Sequence, residues 1–202
     1  MKADGILKVT LALKKRLEKA LTASTVPGTV FVGPLDDPDV GNAALILFLY
    51  RIVPNASLRN TEHRVPSPVP PPPSPIPPPP VQVFRSPLPL DLYFLLTVGT
   101  RGGSEGEQQL LHALGFAMQL LHAESELTGT DVSHETVRVT LESLATEELS
   151  RIWALFPTAN YRTTVAYLAT PVWLDPPEPE PLARPVVEDQ LFAGHKATEA
   201  VV

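Results

Sequence analysis

The chain has 202 residues, of which 44% are hydrophobic and 19% charged, and a formal net charge of −6. This is the composition of a folded domain. The acidic balance excludes an ordinary nucleic-acid binder, which needs a basic face to displace phosphate counterions. The absence of cysteine excludes disulfide frameworks, zinc–thiolate sites and cysteine nucleophiles.

Residues 4–22 place Ile6, Val9, Leu13, Leu17, Ala20 and Leu21 at spacings of three and four. That period predicts an amphipathic, core-facing helix with its lysines and arginine on the other side. Lys8 and the run Lys14-Lys15-Arg16 break up the apolar residues, so no signal peptide is expected and the chain is expected to be made and folded in the cytoplasm. The apolar runs are too short to span a bilayer, so membrane insertion is not expected. Residues 29–32 predict a short strand, followed by an Asp/Pro/Gly loop. Residues 44–53 are apolar at most positions and predict a central strand, ended by Pro54 and a turn at 55–60.

The proline-rich stretch over 65–86 interrupts this pattern and predicts a semi-rigid surface loop. It also permits an alternative, an adaptor that presents polyproline to a partner domain. Beyond it, residues 88–98 alternate as a long strand. Residues 105–123 predict a helix, with Ser104 and Glu107 as a capping box and Leu110, Leu111, Leu114, Met118 and Leu121 as the buried stripe. Residues 136–141 predict a half-buried strand. A short helix from Thr146 carries Glu147 and Glu148 at its positive end. A final strand covers about 161–173.

Long apolar strands joined by turns, with few crossover helices, define an α+β class. The expected architecture is a mostly antiparallel, twisted sheet covered by helices on one face. Residues 1–174 form the expected domain, and the proline- and acid-rich residues 175–202 an arm. Residues 1–23 are net basic and 175–202 net acidic. Such opposite ends could steer one copy against another.

Catalytic signatures are not found. The strand–Gly–helix layout near 98–105 lacks both G-x-x-x-x-G-K-[ST] and G-x-G-x-x-G. No serine sits in G-x-S-x-G. His63, His112, His122, His134 and His195 show no metal spacing. An enzyme, a cofactor and a bound metal are therefore not expected.

Three segments, with "LLHALGFAMQLLH" between them, carry a resemblance: "LILFLYRIVPNASLRN", "PLPLDLYFLLTVG" and "VRVTLESLATEELSRIWALFPTANYRTTVAYLATPVWLD". Together they resemble the cap, or tail-terminator, protein of extracellular contractile injection systems of the antifeeding-prophage type. The resemblance implies a phage-tail-terminator fold and a structural, non-catalytic role. It implies a homo-hexameric ring at the baseplate-distal end of the particle, touching inner tube protein and the last layer of sheath protein. It also implies that the finished particle can be released from the cell. The proline insertion departs from the pattern. On this reading the candidate interface residues are Arg51, Asn55, Arg59, Asn60, Arg151 and Trp153, with Val186, Val187, Leu191 and Phe192 in the arm. Asn55 and Asn60 are also suited to shaping the turn, and Arg51 is expected to reach Asp91 or Glu148.

Overall fold

The computed structural model describes residues 1–66, 81–100 and 103–179. Helix α1 (Gly5–Ser24) is followed by strands β1 (Thr29–Val32), β2 (Ala43–Pro54), β3 (His63–Pro66), β4 (Val81–Phe84) and β5 (Leu88–Val98). Helix α2 (Gly103–Ala123), β6 (Glu126–Leu127), β7 (Val137–Glu142), α3 (Thr146–Trp153) and β8 (Thr164–Leu174) complete the order, with single 3-10 turns at Pro38–Val40 and Thr130–Val132.

Six strands form one sheet in the order β1-β2-β5-β8-β7-β6. β1 runs parallel to β2, and every other pair is antiparallel. The reason lies in residues 44–47, Ala-Leu-Ile-Leu. Side chains alternate between the faces of a strand, so a segment apolar at every position must be covered on both sides. Leu45 and Leu47 enter the main core with Leu92, Phe94, Leu96, Tyr167 and Ala169. Ile46 points the other way, into a smaller core with Leu95 and Ala166.

α1 and α2 cover the main core. α1 buries Val9, Leu13, Leu17, Ala20 and Leu21, as its period predicts. Its basic side is occupied within the chain. Lys15 pairs with Asp131 at 2.7 Å, Lys19 with Glu124 at 2.7 Å, and Lys8 reaches Ser133 at 2.8 Å. Arg16 donates to the backbone carbonyls of Glu124 and Glu126. These charges therefore fasten α1 to the segment between α2 and β7.

Three expectations need correction. Helices cover both faces of the sheet, because α3 packs Trp153, with Leu149 and Ile152, onto the smaller core. Its apolar residues are too few to announce a helix that closes a second core. α2 begins at Gly103, so Ser104 lies inside the first turn instead of capping it. The buried stripe of α2 runs through Leu110, Ala113, Leu114, Ala117 and Leu121, while Leu111 is 44% exposed. Two alanines on that stripe let helix and sheet approach closely.

The proline stretch has a base that the sequence did not announce. β3 and β4 pair antiparallel, from His63↔Phe84 to Pro66↔Val81, as a separate two-stranded ribbon. Residues 67–80 lie outside the described residues.

Close backbone approach fixes one glycine. Gly99 donates its N–H to the Ala44 carbonyl at 2.9 Å. A Cβ at this position would lie 1.7 Å from the Ala43 carbonyl oxygen. Gly99→Ala is therefore expected to push β5 away from β2 and destabilise the chain by about 2 kcal/mol or more. Thermal unfolding would register this as a fall of roughly 4 °C or more in midpoint.

Candidate functional site

α3 covers only one end of its face of the sheet. Past it, the same face is built from Tyr50 on β2, Asp91 and Tyr93 on β5, Leu168 and Thr170 on β8, and Arg138 and Thr140 on β7. Register sets this grouping. Tyr93 pairs with Leu168, Thr140 with Leu168 and Arg138 with Thr170, and facing residues of antiparallel strands share a side. No helix of the described residues lies over this half. It is an open, half-apolar sheet surface.

A bulge shapes its edge. The register moves from Leu49↔Phe94 to Arg51↔Tyr93, leaving Tyr50 as the extra residue. Both Tyr50 and Arg51 consequently land beside Tyr93. The two tyrosine rings meet edge-on at 6.1 Å, and the Arg51 guanidinium lies 5.2 Å from the Tyr93 ring centre. Burial pushes the Tyr50 phenol up to about 12, and the charge of Glu142 acts in the same direction. Tyr50 therefore stays neutral and able to donate a hydrogen bond. Tyrosine and arginine on a half-buried platform are the residue types that dominate protein–protein interfaces.

The far end of the face is held by a polar knot. The Asn55 amide donates to Asp91 Oδ1 at 2.9 Å and to Thr170 Oγ1 at 3.3 Å. The Thr170 hydroxyl also donates to Asp91 Oδ1. Asn55 Oδ1 accepts from the Leu58 amide at 3.1 Å, closing the turn after β2. Asn55 is thus a turn-holding residue tied to the sheet. The expected Arg51–Asp91 and Arg51–Glu148 pairs do not form: Asp91 is engaged by Asn55 and Thr170, and Arg51 lies on Tyr93 instead.

The other residues singled out from the sequence divide clearly. Arg59, Asn60 and Arg151 are exposed. Trp153 is only 6% exposed, with its ring 5.4 Å from that of Tyr161. Val186, Val187, Leu191 and Phe192 lie outside the described residues.

Sequence reasoning missed a second polar group because its members are far apart in the chain. The His63 ring stacks on Trp173 at 4.5 Å and 11°. Its Nδ1 lies 2.6 Å from Asp175 Oδ1 and its Nε2 3.0 Å from Glu135 Oε2. The Met1 ammonium reaches Asp175 at 2.5 Å and Glu135 at 3.3 Å. A neutral imidazole has a single N–H, so two carboxylates at these distances require the doubly protonated ring. Burial disfavours that charge, but the bonds to Asp175 and Glu135 outweigh it and hold His63 above the ordinary histidine value. Burial likewise raises Asp175, and the bonds from His63 and the ammonium reverse this to leave it below the ordinary carboxylate value. The three ligand-type atoms lie within 4.8 Å of one another. Imidazolium and ammonium already supply the positive charge that a metal ion would bring. The group therefore acts as an ionic clasp between the β3–β4 ribbon, the end of β8 and the segment before β7.

The same α+β layout occurs in two solved structures. One is the sheath/tube terminator of PVC, an extracellular contractile injection system, in the extended state: TM-score 0.58, 13% identity, covering 94% of this chain and 65% of that one. The other is the tube-terminating cap of the anti-feeding prophage: TM-score 0.51, 15% identity, covering 92% of this chain and 59% of that one. The fold is thus that of these terminator structures, and the chain spans less than two thirds of the length of either. The family model for the Pvc16 N-terminal domain matches residues 8–188, and the chain belongs to that family. A search of curated proteins finds no match. Among the described residues, no helix is long and apolar enough to cross a membrane.

Two predictions arise here. Asp91→Ala leaves the Asn55 amide and the Thr170 hydroxyl without their acceptor. It is expected to cost about 1–3 kcal/mol in denaturant unfolding, and Asn55→Ala should add little to it in the double variant. The clasp predicts a stability maximum in pH. The His63 contribution is complete below the unfolded histidine pKa and fades as pH rises through the raised folded value. The Asp175 contribution is complete above the unfolded carboxylate pKa and fades as pH falls through the depressed folded value. Both are present between about pH 4 and 6.5. His63→Gln should flatten the alkaline limb of midpoint against pH; a limb unchanged by that variant would refute the assignment.

Proposed function

We propose that this chain caps the baseplate-distal end of a contractile injection particle. Six copies form a ring that ends the inner tube and meets the last layer of sheath. The observation that carries this reading is the fold match over 94% and 92% of the chain to two solved terminators. Membership of the Pvc16 N-terminal domain family supports it.

The open sheet face suits the role. A ring of identical copies uses heterologous contacts, so each copy needs two different surfaces that fit one another or a common partner. The platform of Tyr50, Arg51 and Tyr93 is one such surface, and exposed Arg59, Asn60 and Arg151 add polar contacts around the molecule. In this reading residues 1–174 form the ring body, and the acidic residues 175–202 form an arm, rooted in the body by Asp175 of the clasp, that extends the contact to a neighbour or to sheath.

A second reading draws on the β3–β4 ribbon. Its paired legs hold the two ends of the proline stretch side by side, as an adaptor presenting polyproline would require. The two readings differ in mass. The cap reading expects rings of six copies of the 21.9 kDa chain in electron micrographs when the protein is mixed with tube protein. Arg51→Glu should reduce ring-capped tube ends while lowering the thermal midpoint by no more than about 2–4 °C, the cost of its exposed contact with Tyr93. A chain that stays monomeric and ignores both tube and sheath protein would overturn the cap reading, and capture by an SH3- or WW-type module would favour the adaptor.

A further inference from the structure

The stretch that joins α3 to β8 is poorly satisfied in a single chain. Trp153 Nε1 and Arg162 Nη1 are buried side-chain nitrogens with no hydrogen-bond partner among the described residues. Burial alone shifts Arg162, lowering its pKa, and no carboxylate acts on it in opposition. A buried donor left without an acceptor loses its hydration and gains nothing in return, and the loss is larger for a charged group. Most native donors of this kind have a partner.

The two most exposed large hydrophobic residues of the described chain lie in the same stretch. Leu155 is 74% and Tyr161 65% exposed. Tyr161 leans on the Trp153 ring, so an exposed aromatic rests on a buried one. Arg162 is itself only half-buried and can be reached from outside. A tryptophan and a tyrosine in ring contact, with an arginine and an exposed leucine in the same short stretch of chain, match the residue types of an interface hot spot.

The missing acceptor is present on the chain itself. The loop after β1 carries Asp36 and Asp39, both exposed and in no ion pair among the described residues. Leu35, in the same loop, is buried in the small core that also holds Trp153. Each copy thus offers an uncompensated cation with apolar cover and an uncompensated pair of carboxylates.

We infer that the α3–β8 stretch is a subunit contact, with Leu155, Tyr161 and Arg162 seated against the Asp36–Asp39 carboxylates of a second copy. This rests on the ring reading and specifies one of its interfaces.

The test uses the full chain, sedimentation velocity over a concentration series, and ring counts on tube ends. An arginine that works only between copies has an unusual signature. Arg162→Met removes an unsatisfied buried group, so the thermal midpoint of the isolated chain is expected to stay level or rise. Self-association is expected to weaken at least about tenfold. Arg162→Glu should abolish rings, and adding Asp36→Arg and Asp39→Arg to that same chain should restore them. A lowered midpoint for Arg162→Met, unchanged association, or failure of the triple variant to restore rings would each overturn the contact while leaving the ring reading intact. A wild-type chain that forms no assembly, alone or with tube protein, would overturn both.

Discussion

The central strands are apolar on both of their faces, and the rest of the architecture follows from that constraint. Leu45 and Leu47 need cover on one side and Ile46 on the other. Burying such side chains is worth roughly 1.5–3 kcal/mol each, far more than the hydrogen bonds of a surface turn. The main face is closed by two long helices. Among the described residues the opposite face has one helix, α3, eight residues long, helped by Leu35 and Phe156 from the adjoining loops, and this cover does not extend along the whole of an eleven-residue strand such as β5 or β8. The uncovered half is therefore a direct consequence of the cover being unequal. Its residues are adapted accordingly: tyrosine, threonine and arginine occupy positions that leucine or alanine fills beneath α3.

Where apolar cover ends, polar groups take over the task of fixing geometry. Asn55, Asp91 and Thr170 tie together β2, β5, β8 and the turn after β2 with one shared carboxylate oxygen. The clasp of His63, Glu135, Asp175 and the Met1 ammonium does the same for elements that never neighbour one another in sequence. Both groups are self-contained, since each donor in them meets an acceptor. The contrast with the α3–β8 stretch, where two donors meet none, separates polar groups that serve the single chain from those available to a partner.

Periodicity made much of this fold legible. β5 occupies the predicted residues and α1 buries the predicted stripe because each alternates or repeats strongly over its whole length, while the four-residue β1 is marked by the Asp/Pro/Gly loop that follows it. The short β3–β4 ribbon was hidden because prolines at its margin resemble loop, and four residues cannot display a period. The role of α3 was hidden because Leu149, Ile152 and Trp153 on a short helix do not tell which side of a sheet they will meet. Arg51 meets Tyr93 in place of a carboxylate for a register reason: the bulge at Tyr50 turns Arg51 toward Tyr93, and bulges have no reliable mark in sequence. The ionic clasp joins residues 63, 135 and 175, a grouping only the folded chain creates. The likeness to terminator proteins, by contrast, was carried by "LYRIVPN", "LDLYFLL" and "ELSRIW", segments that fall on β2, β5 and α3.

The pairing of Pro66 with Val81 has a further consequence. Strands in a ladder are held about 5 Å apart, so the two points where the proline stretch leaves and rejoins the body are fixed at that spacing whatever lies between them. The entropy of closing a loop on such a gap grows only with the logarithm of its length, about 0.6 kcal/mol for each doubling. The ribbon is thus a graft point. Residues can be added or removed beyond it with little effect on the sheet, and the insertion is free to diverge in length and composition while the surfaces on the body stay unchanged.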